Sequence, residues 1–353
     1  MSTGTDPGTG KVPVRRRGGA PIVARPPGTP AAAAPASAWL PSAPCTPREC
    51  VDSAGAAVAV PRAVLRLVSL VLVVAAGIVL IPVVGRFPAV LRDRLVRAWC
   101  RTIVRTAGVR VRITGVAPPT GGLLLVANHI SWLDIPLLAA VRPGRMLAKA
   151  EIRQWPVAGA LTEGGGALFI ERDRLRALPG TVGRIADALR GGAAVVVFPE
   201  GSTWCGQARG RFRRAVFQAA LDAGSPVQPV RLRYRYEAGT MTTAPAFVGG
   251  DSLFASVWRV VSVRAVVAEV HVRPVLPPGC APDRRTLALA AEASTTHPAS
   301  TTHPAAAVHP PGVVRPSRAP DPSSRAPALE AAPRPAGARE RSCHANTEVP
   351  ARL

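Results

Sequence analysis

The sequence predicts an α/β domain with a single mixed or largely parallel sheet flanked by helices, preceded by an N-terminal membrane-associated helix. Three observations predict this class. Short apolar runs alternate with longer stretches of helical periodicity between residues 108 and 280. An uncharged apolar segment precedes them, and Pro- and Ala-rich sequence surrounds both. Alternation of strands and helices along a chain is typical of α/β folds with parallel strand pairs.

Both ends of the 353-residue chain have the composition of disordered tails. Residues 1–55 are rich in Pro, Ala and Gly, and residues 281–353 are rich in Pro, Ala and His. Such sequence buries too little apolar surface to offset the entropy lost when a chain is ordered. We therefore expect one folded region of roughly 225 residues, which is long enough for one sizeable core.

The net charge of +23 lies mainly between the tails, where 29 basic residues face 12 acidic ones. A basic domain attracts nucleic acid, anionic lipid or phosphorylated substrates. Nucleic acid is not expected as a partner, because no nucleic-acid-binding motif is present and aromatic residues make up only 4% of the chain. One hypothesis for this chain is therefore a membrane-anchored basic protein that binds an anionic partner and catalyses no reaction.

The six cysteines show no metal-type spacing in the sequence. Reduced, structural cysteines in a cytoplasmic domain are the expected state, and no metal site is predicted.

Residues 62–107 are predicted to associate with the membrane. Leu67–Val84 contains 18 residues without a charge, the lower limit for crossing a hydrocarbon core of about 30 Å. Pro88–Ala107 follows as a basic amphipathic helix suited to an anionic bilayer surface. The flanking arginines favour a cell-membrane protein whose C-terminal domain lies on the cytoplasmic face. An in-plane helix and a buried core helix are the alternatives to a spanning one.

The domain from 108 to 280 supplies the alternating elements. The predicted strands are Val109–Thr114, Gly122–Ala127, Arg145–Ala148, Ala167–Glu171, Ala193–Phe198, Val227–Tyr234 and Ala265–Val272. The predicted helices are Ile135–Val141, Ile152–Thr162, Leu175–Arg190 and Phe212–Ala223. Ligands of such sheets collect beyond the carboxyl ends of the strands.

The first polar motif in such a place is Asn128-His-Ile-Ser-Trp-Leu-Asp134, which follows the strand Gly122–Ala127. His129 and Asp134 converge only if the histidine lies in the turn and the aspartate begins the helix, as Pro136 in a first turn indicates. A carboxylate on one imidazole nitrogen leaves the other free to accept a proton. Ser131-x-x-Asp134 equally fits a helix capping box.

Two further motifs also end apolar strands. Phe198-Pro-Glu-Gly-Ser-Thr203 offers Glu200, Gly201, Ser202 and Thr203 to a polar acceptor, although a plain strand-to-loop turn would read the same way. Gly166–Arg172 delivers Arg172, whose guanidinium can grip a phosphate bidentately.

The order of these motifs closely resembles that of the glycerolipid acyltransferase family. It consists of His-x-x-x-x-Asp, then a strand that ends in Arg, then Phe-Pro-Glu-Gly. Its best-known members are the 1-acylglycerol-3-phosphate O-acyltransferases. The resemblance extends from about Leu123 to Val230. It includes Lys149, Trp155-Pro156, the basic segment around Arg213, and Pro226–Val230.

The resemblance implies a mechanism. His129, oriented by Asp134, takes the proton of an acceptor hydroxyl as that oxygen attacks an acyl thioester of acyl carrier protein or coenzyme A. The family uses no metal, cofactor or covalent acyl-enzyme. Arg172, Glu200 and Gly201 match positions that hold the acceptor, and Lys149 or Arg213 would add positive charge.

One departure leaves the acceptor open. Many members read Phe-Pro-Glu-Gly-Thr-Arg, whereas Ser202-Thr203 stand here, so a phosphate-binding arginine is missing unless Arg209 or Arg211 replaces it. Lysophosphatidic acid, giving phosphatidic acid in phospholipid biosynthesis, is the expected acceptor, and lyso-ornithine lipid is the alternative. A serine hydrolase is disfavoured because no G-x-S-x-G elbow is present.

Overall fold

The computed structural model describes residues 43–52, 57–171 and 174–296. The helices are α1 (Pro47–Cys50), α2 (Val60–Val84), α3 (Ala89–Thr106), α4 (Asp134–Val141), α5 (Pro156–Gly164), α6 (Leu178–Arg190), α7 (Ala215–Ala223), α8 (Leu253–Ser262) and α9 (Arg284–Thr296). The strands are β1 (Val109–Thr114), β2 (Leu123–Ala127), β3 (Arg145–Lys149), β4 (Leu168–Ile170), β5 (Ala194–Val197), β6 (Val227–Tyr236) and β7 (Val266–Val272). Short 3-10 helices cover Ala150–Gln154 and Leu175–Ala177.

Within the described ranges, the strands form a single mixed sheet in the order β1-β7-β6-β2-β5-β3-β4. Strands β6, β2, β5, β3 and β4 run parallel to one another. Strand β7 is antiparallel to β6 and parallel to β1. The predicted fold class is therefore confirmed, and each predicted strand is present to within two residues at either end.

Helices cover both faces of the sheet because β2 is apolar on both sides. Leu123 and Leu125 pack into a cluster with α3, α4 and α8, whereas Leu124 and Val126 pack into a second cluster with α6, α7 and α9. Side chains alternate across a strand, so this run of aliphatic residues produces a helix–sheet–helix sandwich. Strand β2 is fully buried, so packing on both faces of the sheet fixes the position of its carboxyl end.

Prolines and turns shift several helix boundaries from their predicted positions. The predicted helix Ile152–Thr162 is a 3-10 helix followed by α5, which starts afresh at Pro156. Leu175–Arg190 likewise begins as a 3-10 turn before α6. The helix predicted from Phe212 begins only at Ala215 because residues 212–214 stay in the preceding loop. Proline is tolerated in a first helical turn and not deeper, which explains the first two differences.

The predicted tails differ from the structure at their inner edges. Helix α1 lies inside the range 1–55, and α9 lies inside 281–353. Leu287, Ala288 and Ala291 of α9 are buried against the second core cluster. Alanine is a strong helix former, so an Ala-rich segment with helically spaced apolar residues folds where the composition alone suggests a tail.

The predicted apolar segment forms most of α2, which is long and apolar enough to cross a membrane by length and composition. Its large side chains are mostly exposed, including Leu65, Leu72 and Val79. One side of α2 nevertheless packs on α3, where the Trp99 indole N–H donates to the Val73 carbonyl at 2.8 Å. The predicted basic amphipathic helix is α3, one residue shorter at each end.

Candidate active site

The sheet brings two of the three motifs together because β2 and β5 are parallel neighbours. His129 lies two residues beyond the end of β2, and Glu200 lies three residues beyond the end of β5. The His129 backbone N–H donates to Glu200 Oε2 at 2.8 Å. The carboxyl ends of neighbouring parallel strands meet at one edge of the sheet, so the two motifs form one site.

The turn between β2 and α4 folds around the carboxylate of Asp134, which is fully buried. Oδ2 lies 2.9 Å from His129 Nδ1 and accepts the backbone N–H groups of Ile130 at 2.6 Å and Ser131 at 2.8 Å. Asp134 is also the first residue of α4. The predicted capping box is present only in part, because Asp134 accepts the Ser131 N–H but Leu133 is the N-cap of α4 and no side chain caps the helix. The Asp134 carboxylate closes the turn and holds the ring.

Strand β6 supplies residues that the sequence motifs do not include. The Tyr234 hydroxyl donates to Asp134 Oδ1 at 2.6 Å, and burial, followed by the Asp134 charge, keeps the pKa of this tyrosine well above its usual value. The Asn128 side chain exchanges two hydrogen bonds with the Leu232 backbone, at 2.8 and 3.1 Å. Nothing in the sequence singled out Tyr234, because its strand also contains the polar residues Gln228, Arg231 and Arg233.

The Phe198–Glu200 segment supports the histidine from the other side. The Phe198 and His129 rings stack with centroids 3.9 Å apart and planes 10° apart. The imidazole thus has an aromatic face on one side and a carboxylate on its Nδ1 edge, and one-fifth of the side chain stays exposed. Gly201 has φ +76°, a conformation that favours glycine and turns the chain sharply after Glu200.

Glu200 is a buried acid held by backbone donors. Oε2 accepts the His129 N–H, and Oε1 accepts the Gly210 N–H at 3.2 Å. Burial raises its pKa to about 8 in spite of these two donors, and the nearby Asp134 charge acts in the same direction. Glu200 therefore ties the histidine turn to the loop that carries Gly210.

A cavity of about 590 Å³ opens beside Glu200, and its lining contains four arginines and two acids, Glu200 and Glu292. Its lining includes Arg211, Arg213 and Arg214 from the loop before α7, and Arg285 from α9. Arg209 and Arg211 line an adjoining cavity of about 250 Å³ that also reaches Asn128 and Glu200. Several guanidinium groups around one opening favour an anionic ligand.

The remaining predicted site residues are more scattered. Ser202 and Thr203 follow Gly201 and are partly buried. Lys149 is exposed at the end of β3 and does not line either of these cavities. Arg172 lies outside the described residues. Arg285 comes from the range predicted to be a tail, so sequence reasoning missed it.

This arrangement suits proton removal from an alcohol. With the Nδ1 proton directed at Asp134, the Nε2 atom of His129 is the acceptor. The cavity beside Glu200 can hold an anionic group of the molecule that carries the alcohol.

Comparisons with known proteins show that the chain is similar to several acyltransferases. The family model described as Acyltransferase matches residues 108–233. A lyso-ornithine lipid O-acyltransferase of Pseudomonas aeruginosa is 39% identical over 207 residues, which are 57% of this chain and 77% of that protein. A 1-acyl-sn-glycerol-3-phosphate acyltransferase of Neisseria meningitidis is 35% identical over 180 residues, 51% of this chain and 70% of that protein.

A solved structure shows the same fold. The crystal structure of the 1-acyl-sn-glycerophosphate acyltransferase from Thermotoga maritima matches with a TM-score of 0.52 and 18% identity, over 67% of this chain and 93% of that one. The matched family region contains His129, Asp134 and Glu200. On the site geometry and these relatives, the chain belongs to the acyltransferase family of the lysophospholipid and lysophosphatidic acid type.

Proposed function

We propose that the protein transfers a fatty acyl group from an acyl thioester to the free hydroxyl of lysophosphatidic acid and so forms phosphatidic acid. The observation that carries the proposal is the 2.9 Å contact between His129 Nδ1 and Asp134. Glu200, which accepts the His129 backbone N–H, also lines the cavity that contains the arginines. Acyl carrier protein or coenzyme A is the leaving group. The reaction takes place at the membrane surface.

His129 acts as the general base. Its Nε2 takes the proton as the acceptor oxygen attacks the thioester carbonyl, and the proton then passes to the departing thiolate. Asp134 holds the tautomer and stabilises the imidazolium that forms. A thioester needs little activation, so one base and good positioning suffice, and no metal or cofactor takes part in the transfer.

The arginines around the cavity favour a phosphate-bearing acceptor. Arg211, Arg213 and Arg285 offer bidentate donors to a dianion, and they compensate for the arginine that Ser202-Thr203 lacks. Lyso-ornithine lipid is the second candidate, because the relative in Pseudomonas aeruginosa carries that name. Its ornithine headgroup has an ammonium as well as a carboxylate, which suits a dense arginine cluster less well.

To test the proposal, membranes that contain the protein are incubated with a panel of lysolipids and a donor whose acyl group is labelled. The donor is either acylated acyl carrier protein or acyl-coenzyme A. We expect labelled phosphatidic acid as the main product. His129→Ala should lower its formation about 10²- to 10⁴-fold, the usual contribution of a general base, whereas His271→Ala on β7 should leave it unchanged. Acylation of lyso-ornithine lipid in preference to lysophosphatidic acid would reject the proposed acceptor, and full activity of His129→Ala would reject the mechanism.

A further inference from the structure

Three cysteines meet beside the active-site loop, and the proposed reaction does not use them. Cys45 lies two residues before helix α1, Cys50 is the last residue of α1, and Cys205 directly follows Trp204 in the loop after β5. The three sulfur atoms all lie within 4.8 Å of one another. Cys45 and Cys205 are each only 4% exposed. The fold thus assembles a cluster that the spacing in the sequence does not reveal.

We propose that Cys45, Cys50 and Cys205 bind one thiophilic metal ion, for which Zn²⁺ is the best fit. Zinc takes thiolates at about 2.3 Å in a tetrahedron, so two sulfurs on one ion lie roughly 3.8 Å apart. The observed cluster needs only a small contraction to reach that spacing. A set of three thiolates selects soft ions over Mg²⁺ and Ca²⁺. The fourth position is left for water or another ligand.

The ion would fasten the segment of residues 43–52 to the catalytic domain. This segment has a second attachment at Asp52, whose backbone N–H donates to Thr243 Oγ1 at 2.8 Å and whose carboxylate accepts the Thr243 N–H at 2.8 Å. The Trp204 N–H, next to Cys205, donates to the His129 carbonyl at 2.8 Å. The metal site would therefore brace the loop that supports the histidine turn, without touching the reacting atoms.

Elemental analysis of the full-length protein, purified without a polyhistidine tag under reducing conditions, tests the proposal. We expect about one zinc ion per chain. The zinc content per chain should fall to near zero in each of the variants Cys45→Ser, Cys50→Ser and Cys205→Ser. Cys100→Ala is the matched control, because it removes a buried cysteine of α3 that lies outside the cluster, and it should keep the wild-type stoichiometry.

Cobalt substitution gives a readout that is independent of activity. Adding Co²⁺ to the metal-free wild type and to Cys100→Ala should produce a thiolate-to-cobalt charge-transfer band that Cys205→Ser lacks. If Cys205→Ser fails to fold, the cobalt spectrum of Cys50→Ser, which changes a half-buried residue, is compared with that of the wild type instead. Failure of the wild type to take up Zn²⁺ or Co²⁺ would overturn the proposal. So would a disulfide between any two of the three cysteines in non-reducing peptide mapping. Neither result bears on acyl transfer by His129.

Discussion

At the scale of single residues, the Asp134 carboxylate has more partners than catalysis alone requires. It accepts two backbone N–H groups and contacts His129 through Oδ2, and it accepts the Tyr234 hydroxyl through Oδ1. A fully buried carboxylate needs such donors, because burial without them is very costly. The same contacts fix the histidine turn, so the structure of the turn and the orientation of the base depend on one side chain.

Tyr234→Phe tests the positioning role of this tyrosine. Removing its hydroxyl leaves one buried carboxylate oxygen without its donor, so we expect a loss of about 1.5–3 kcal/mol in the free energy of unfolding. A less firmly held Asp134 orients His129 less well, and kcat should fall about tenfold with little change in KM. Denaturant unfolding and steady-state kinetics measure the two effects. Tyr236→Phe on the same strand is the control, and an unchanged kcat in Tyr234→Phe would contradict the role.

Glu200 makes stability depend on pH. Its pKa is raised from 4.5 to about 8 in the folded protein, chiefly by burial. Between these values the folded state keeps a proton that the unfolded state releases, so the free energy of unfolding falls as the pH rises and levels off above the folded pKa. Glu200→Gln should remove this part of the slope, and Glu163→Gln, which changes an exposed acid, should retain it. Urea midpoints measured across this pH range give the slope of stability against pH for each protein. Identical slopes in the wild type, Glu200→Gln and Glu163→Gln would contradict the assignment of this slope to Glu200.

At the scale of secondary structure, the strands were the most predictable part because their apolar runs are bounded by turn residues. Strand β2 illustrates this, since LLLVA can only be a buried strand or a short buried helix, and the polar motif after it favours the strand. Helix α9 is not predicted from the sequence, because its alanines resemble tail composition and its burial depends on contact with β6 and α7. The hydrogen bond from Tyr234 to Asp134 joins residues far apart in the sequence, and no local pattern reports it.

The loop before α7 and helix α9 together form the basic cavity, so both should contribute to acceptor binding. Arg213 comes from the loop and Arg285 from the helix. Arg213→Gln and Arg285→Gln should each raise KM for lysophosphatidic acid about 10- to 150-fold, with a much smaller effect on kcat, because a charge-assisted hydrogen bond to phosphate contributes roughly 1.5–3 kcal/mol. Arg190→Gln, whose exposed side chain pairs with Asp187, is the control for charge. An unaltered KM in both variants would place the phosphate elsewhere.

At the scale of the whole molecule, α2 lies along the catalytic domain at several points. The Arg66 guanidinium donates to the carbonyls of Val261 and Val263 at 2.9 and 3.0 Å, and Ile81, near the other end of the helix, packs on Gly164. Residues on both sides of α2 in the sequence contact the same domain, because Asp52 binds Thr243. A helix that crossed the bilayer would separate the residues before it from the domain after it.

We therefore expect α2 to lie in one leaflet with its exposed apolar side chains in lipid, and not to span the membrane. Its 25 residues make a helix of about 37 Å, long enough to cross, so topology must be measured. Epitope tags at Met1 and Leu353 should both be cleaved by protease added to inverted membrane vesicles, and both should be protected in intact spheroplasts. A periplasmic and a cytoplasmic marker protein control for the orientation and sealing of each preparation. An N-terminal tag that is cleaved only in spheroplasts would show that α2 crosses the bilayer, and the contacts of residues 43–52 with the catalytic domain would then be wrong.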